Sequence, residues 1–169
     1  MFRPSARARG LGAWETTRLE APGRPPIDVT ATPCRHGPPG SHPVVGDVIG
    51  FSLRWDGQER GELWFTGDTV LYPRLRDVGE RLDVGTAVVH LGGVRFGLTG
   101  PLRYTMTGRD VATLCDWVRP RVVLPVHYEG WSHFHDDRAA VERALAAAPE
   151  EVRSSVHWLE MGTPEPVTV

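Results

Sequence analysis

Three apolar, strand-like runs, each stopping abruptly at a side chain able to bind a metal ion, constrain this chain most. The run ELWF ends at Phe65 and leads through a Thr-Gly pair to Asp68. Val122, Val123 and Leu124 lead through Pro125 to His127, and IDVTATPCRHGPPG carries a strand into a loop at His36. Short apolar runs bounded by glycine and proline read as strands. A rigid sheet whose strands end at such side chains can aim them at one point. Carboxylate and neutral imidazole are ligands that suit zinc, iron and manganese. Two histidines and an aspartate supply most of a metal site, but not all of one.

Between these runs the pattern moves back and forth between strand and helix periods. Strands are expected over residues 14–19 and 27–32, and a Pro- and Gly-rich loop over 33–43. A hairpin follows, with strands over 48–55 and 62–66 and Asp56-Gly57 as the turn signal. Residues 71–82 read as a short helix, and 86–91 as a strand apolar on both faces. The long loop 92–106 is glycine-rich yet carries Arg95, Phe96, Arg103, Tyr104 and Met106, and loops of that length tend to be functional. Thr107 and Asp110 form a capping box for a helix that lines Val111, Leu114, Cys115 and Val118 on one face. Pro120 stops it, and residues 121–126 form the next strand. Asp136 is expected to cap a second helix with Val141, Ala144, Leu145 and Ala148 as its stripe. Residues 156–160 are expected to close the pattern as a last strand. From residue 45 onward this order specifies an α/β domain with helices packed on a sheet.

Composition narrows the function classes. The 169 residues fit one domain with a sizeable core. The net charge of -2 gives no general pull toward nucleic acid or an anionic membrane. Every basic residue apart from histidine is arginine, which fits a GC-rich coding sequence better than a functional role. The two cysteines, Cys34 and Cys115, make neither a disulfide framework nor a zinc-finger pair, so a cytoplasmic location is expected. Cys115 reads as core and Cys34 as a neighbour of His36. No apolar run reaches membrane-spanning length. Residues 1–13 read as a poorly ordered end, and 14–169 as the domain.

The segments TATPCRHGP, FTGDT, HLGGVRFGLTGPLRYTMTGRD and VVLPVHYEGWSHF, in this order, resemble the second half of metallo-β-lactamase-fold hydrolases. The nearest branch is the one related to L-ascorbate-6-phosphate lactonase. The resemblance implies an αββα sandwich with one or two metal ions at the edge between its sheets. It implies that His36 binds the first metal, Asp68 bridges both, and His127 binds the second. A bridging ligand suits a carboxylate, whose two oxygens and charge can serve two cations. The ion is expected to be zinc, with manganese or iron in some branches. The family's HxHxDH signature is absent, and no histidine precedes His36. The chain therefore reads as a truncated member, a partial sandwich with the end of the first half and the whole second half. Residues 14–32 would then be the tail of a first sheet whose earlier strands are missing.

Around this triad, His90, Arg95, Arg103, Tyr104, Trp131 and His133 are the expected substrate-contacting or supporting residues. Arginines 95 and 103 and Tyr104 are candidates to hold an anion. Trp131, His133 and Phe134 would line the mouth, with His135 solvated. The leading expectation is a metal-dependent hydrolase acting on a small-molecule lactone, ester or phosphodiester, impaired by the missing ligands. The alternative is a non-catalytic subunit that binds a second copy or another chain through an open sheet edge. A nuclease of the same fold comes third, disfavoured by the charge.

Overall fold

The computed structural model describes residues 8–169, so the first seven positions of the expected disordered end lie outside the described residues. Residues 8–13 have no regular secondary structure and are mostly exposed. One mixed sheet follows, of six strands in sequential order. These are β1 (Thr16–Leu19), β2 (Ile27–Thr32), β3 (Gly50–Arg54), β4 (Glu62–Phe65), β5 (Val84–His90) and β6 (Val122–Val126). The ladders from β1 to β4 are antiparallel, and β4–β5 and β5–β6 are parallel. The helices are α1 (His42–Val45), α2 (Arg76–Arg81), α3 (Gly108–Val118), α4 (Arg138–Ala146) and α5 (Glu150–Ser155).

The core lies between the sheet and its helices. Alternation along each strand sends Trp64, Ala87, Val89 and Val123 to the helical side. There they meet Leu75, Val78, Val111, Leu114, Val118, Val141, Leu145 and Val152. The indole of Trp64 is fully buried and donates to Thr32 Oγ1 at 3.0 Å, which satisfies both polar atoms. The other face presents Phe51, Leu53, Leu63, Phe65 and Val88, which are exposed or half-buried and lie outside that core. Phe51 pairs with Phe65 and Leu53 with Leu63 across the β3–β4 ladder, so this face is continuous and apolar.

Several expectations need correction. Residues 14–32 are not the tail of a separate sheet. Register pairing of Asp28–Thr32 with Gly50–Arg54 continues the same sheet through β2 to β1. β1 starts later than expected because Trp14 is left-handed, with φ 72°. The helix over 71–82 is broken by Pro73 into a 3-10 turn, Pro73–Leu75, and then α2. Asp137, not Asp136, caps α4 by accepting from Ala140 N at 2.8 Å. Asp136 reaches across to Gly108 N, the first residue of α3, at 3.1 Å. The strand over 156–160 reduces to one bridge between Val156 and Val123, because α5 occupies the preceding residues. Pro125 is tolerated since β6 is an edge strand. The capping box at Thr107 and Asp110 and the four-residue apolar face of α3 form as expected.

Gly79 sets how closely α2 approaches α3. A Cβ there would collide with the carbonyl oxygen of Trp117 and stand 2.8 Å from Val118 Cα. Glycine to alanine in a helix normally stabilises by about 1 kcal/mol. Here overpacking against backbone outweighs that gain, and Gly79→Ala is expected to cost about 1–3 kcal/mol. Urea unfolding midpoints of the two proteins give the sign.

Candidate metal centre

Strand direction assembles the site. β3 runs opposite to β2 and to β4, so β2 runs with β4, β5 and β6. The C-terminal ends of these four strands lie at one end of the sheet. His36 follows β2, Asp68 follows β4, His90 ends β5 and His127 follows β6.

Local backbone then turns each residue inward. Gly67 has φ 65°, and a Cβ there would stand 2.8 Å from the Ile49 carbonyl oxygen, so only glycine fits before Asp68. His127 is itself left-handed at φ 60°, an uncommon state for a non-glycine residue and one that often marks function. Arg35 N donates to Thr69 Oγ1 at 3.0 Å and Val70 N to the Arg35 carbonyl at 2.9 Å. These bonds tie the His36 loop to the Asp68 loop.

Asp68 and His127 meet, with Oδ2 and Nε2 3.7 Å apart and both side chains about one-third exposed. The His90 and His127 ring centroids are 5.8 Å apart. His36 lies within the field of both Asp68 and His127. Among the described residues, no three His, Cys, Asp or Glu side chains are gathered closely enough to hold an ion as they stand. The centre is thus a converged pair with two flanking imidazoles.

The hydrogen bonds assign tautomers. Thr66 Oγ1 donates to the Gly67 carbonyl at 2.9 Å and accepts from His90 N at 3.0 Å. The His90 Nδ1 atom, 3.3 Å from the same oxygen, must then be the donor. His127 Nδ1 faces the Leu91 carbonyl at 3.3 Å and donates as well. Both rings therefore keep Nε2 free as a lone-pair donor. Burial lowers the pKa of His36 and of His90; Asp68 opposes and His127 adds to the lowering. Neutral imidazole is the ligand form. Cys34 donates to the Asp68 carbonyl at 3.6 Å, and burial pushes its thiol up to about 12, so it supports the loop as a thiol.

Six side chains ring the mouth. Centroid distances are 5.8 Å for His36–Tyr104, 5.1 Å for Tyr104–Phe96 and 5.4 Å for Phe96–His133. The arc closes through His133–Phe134 at 5.0 Å and Phe134–His127 at 4.6 Å. Trp131 stacks outside His133 at 5.6 Å. Arg95 lines the same side, with its backbone N donating to the His133 carbonyl at 3.3 Å. Arg103 does not join them; it is exposed in a separate groove with Arg109 and Arg143. Sequence reading missed Thr66, the hydroxyl that sets His90. A threonine directly before the Gly-Asp pair is its only signal in the sequence.

The fold and the position of this centre define a β-lactamase superfamily protein. Residues 2–128 match the family described as Beta-lactamase superfamily domain, and the chain belongs to it. It is 28% identical over 126 residues to a UPF0173 metal-dependent hydrolase of Methanoregula boonei, covering 70% of this chain and 51% of that protein. A UPF0173 metal-dependent hydrolase of Deinococcus radiodurans is 31% identical over 128 residues, covering 74% of this chain and 50% of that protein. The chain thus spans about half the length of the curated relatives it matches. Among solved structures, the isothiocyanate hydrolase from Delia radicum gut bacteria superposes with a TM-score of 0.74 at 16% identity, over 95% of this chain and 59% of that one. Igni18, a metallo hydrolase from Ignicoccus hospitalis, gives 0.63 at 23% identity, over 92% and 58%. These likenesses show the fold. No helix among the described residues is long and apolar enough to cross a membrane.

The lowered histidine pKa values set a pH dependence. Below about 6.5 the unfolded chain takes up protons that folded His36 and His90 refuse. Their contribution to stability is therefore complete above that pH and is lost as pH falls through the folded values. The metal-free protein is expected to melt at lower temperature at pH 5 than at pH 7. A double His36→Gln, His90→Gln variant should show a flatter dependence in the same thermal scans.

Proposed function

We propose that this chain carries the metal-binding end of a metal-dependent hydrolase acting on a small molecule through lactone, ester or phosphodiester chemistry. The Asp68–His127 pair at 3.7 Å, flanked by two imidazoles at the ends of co-directional strands, carries this reading. Family membership and the metal-dependent relatives support it.

The donor set fits a metal in type. Asp68 would offer a carboxylate, and His127 and His90 would each offer Nε2, while His36 offers an imidazole kept neutral by burial. One carboxylate with imidazoles suits zinc, and also manganese or iron. When bound, such an ion supplies Lewis acidity that brings the pKa of a water toward neutrality. The chain's own residues do the rest. Thr66 and the Leu91 carbonyl fix the ring orientations, and the Tyr104–Phe96–His133–Phe134 arc walls one side of a pair that stays about one-third exposed.

The two-donor geometry limits what this chain does alone. A fixed coordination geometry is needed to activate water. The isolated chain is expected to bind Zn²⁺ only weakly, with Asp68 and His127 as its nearest donors, and to show no turnover above background on lactone or phosphodiester substrates. Metal analysis after dialysis and isothermal titration test the binding. Asp68→Asn keeps the shape of the side chain and removes its charge, and should lower Zn²⁺ affinity at least about 10-fold. Unchanged affinity would remove Asp68 from the centre, and chelator-sensitive turnover would mean that further donors complete it.

A second reading has its own observation. The half-exposed apolar face of Phe51, Leu53, Leu63, Phe65 and Val88 suits a protein partner. On that reading the chain is a non-catalytic subunit. Sedimentation of the purified chain separates the two: a monodisperse monomer at high concentration disfavours self-pairing through this face.

A further inference from the structure

We infer that the cleft between Arg95, Phe96 and His133 takes a small organic anion, with a flat unsaturated body stacked on Phe96 and His133, Trp131 at its rim, and its carboxylate or phosphate held by Arg95. This inference names the substrate class and rests on the hydrolase reading above.

The platform comes first. Phe96 and His133 are tilted by 33° at 5.4 Å, and His133 and Trp131 by 37° at 5.6 Å. Three neighbouring rings tilted by about a third of a right angle offer adjoining faces, on one or two of which a flat group can stack. Two of them are open to solvent, Trp131 at 69% exposed and Phe96 at 39%, and His133 is half-buried. Exposed aromatics grouped at a cleft, and not scattered singly, mark a binding surface. The cleft measures about 430 Å³ and is lined by Arg95, Phe96, Gly97, Ser132, His133 and His135. That lies within the range of small-ligand sites.

The charge comes second. Arg95 is half-buried, and its Nε–H is buried with no acceptor among the described residues. No carboxylate among the described residues pairs with its guanidinium. A guanidinium remains charged at any ordinary pH, so a partly desolvated, uncompensated cation costs free energy. A carboxylate or phosphate in the cleft would offset that cost through forked hydrogen bonds.

Position comes third. His133 contacts Phe134, which contacts His127, and Phe96 contacts Tyr104, which contacts His36. The platform therefore shares side chains with both walls of the metal centre. A ligand anchored at Arg95 and stacked on the platform stands one ring away from His127, across Phe134, and one ring away from His36, across Tyr104. An anion bound in the exposed groove of Arg103, Arg109 and Arg143 would have no such relation to it.

The test uses the full chain without metal, so its failure is separable from failure of the hydrolase reading. Phenyl phosphate and benzoate are titrated while tryptophan fluorescence is followed, with calorimetry as a second readout. Both aryl anions should bind saturably, and Trp131→Phe should remove most of the fluorescence change. Benzyl alcohol, cyclohexanecarboxylate and inorganic phosphate should each bind more weakly. Arg95→Met, which keeps the packed stem, should weaken phenyl phosphate about 10- to 100-fold. Phe96→Ala changes an exposed side chain and leaves the core alone; it should weaken both aryl anions about 3- to 10-fold. Several results would overturn the inference: no saturable binding of either aryl anion, equal binding of the neutral alcohol, or wild-type affinity in Arg95→Met. Any of these alongside intact Zn²⁺ uptake sinks the substrate class and leaves the metal reading standing. Lost Zn²⁺ uptake with retained aryl-anion binding does the reverse.

Discussion

The direction of β3 is the constraint on which the centre depends. Because β3 returns antiparallel between β2 and β4, β2 is made to run with β4, β5 and β6. Four strand ends then open at one edge, and the side chains that follow them are brought to the same end of the sheet. Were β2 to run the other way, His36 would stand at the far end of the sheet. The two parallel ladders do the same for His90 and His127, through Val88–Leu124 and His90–Val126 pairing. Parallel strands need crossover connections, and the segments carrying α2 and α3 supply them. These helices bury Trp64, Val89 and Val123, so one core both closes the fold and aligns the strand ends.

The charge state of the centre follows from a few buried polar atoms. Thr66 is fully buried, and its hydroxyl spends its one proton on the Gly67 carbonyl. It therefore accepts from His90 and leaves the opposite nitrogen of that ring unprotonated. Loss of such a partner would leave a buried donor unsatisfied at a cost of about 1–3 kcal/mol. The Leu91 carbonyl plays the same part for His127, and Leu91 itself is held by its N–H bond to the Val126 carbonyl at 3.0 Å. The two histidines on adjacent strands thus point the same nitrogen outward. Burial then keeps His36 and His90 from taking a second proton near neutral pH.

Much of this was legible from local pattern. The spacing of Val111, Leu114, Cys115 and Val118 and the Thr107 capping box fixed α3, because both signals are short-range. The strand-end positions of Asp68 and His127 were legible for the same reason, as an apolar run followed by glycine or proline. What local pattern could not carry was partnership over distance. Asp136 and Asp137 are equivalent as caps in sequence, and only the approach of Gly108 to the first of them decides which one caps α4. The sheet membership of residues 16–32 depends on pairing with β3, which no period-two pattern encodes. Arg95 and Arg103 sit in one loop as like residues, yet the 3-10 turn at Gly97–Thr99 separates them. One lines the cleft and the other a different groove.

The open face of the sheet and the incomplete donor set are linked by alternation. Along β5, Ala87 and Val89 point to the helical core, so Thr86, Val88 and His90 point the other way. His90 therefore lies on the same face as Phe51, Leu53, Leu63 and Phe65, just beyond the last apolar row. Burying a large apolar side chain fully is worth about 1.5–3 kcal/mol. The five here are already largely covered, Phe51 being the most exposed at 39%, so covering the rest adds only a fraction of that for each. A surface packed on this face would extend to the row beside His90. Were a protein partner to cover this face, it would therefore stand next to the metal centre as well.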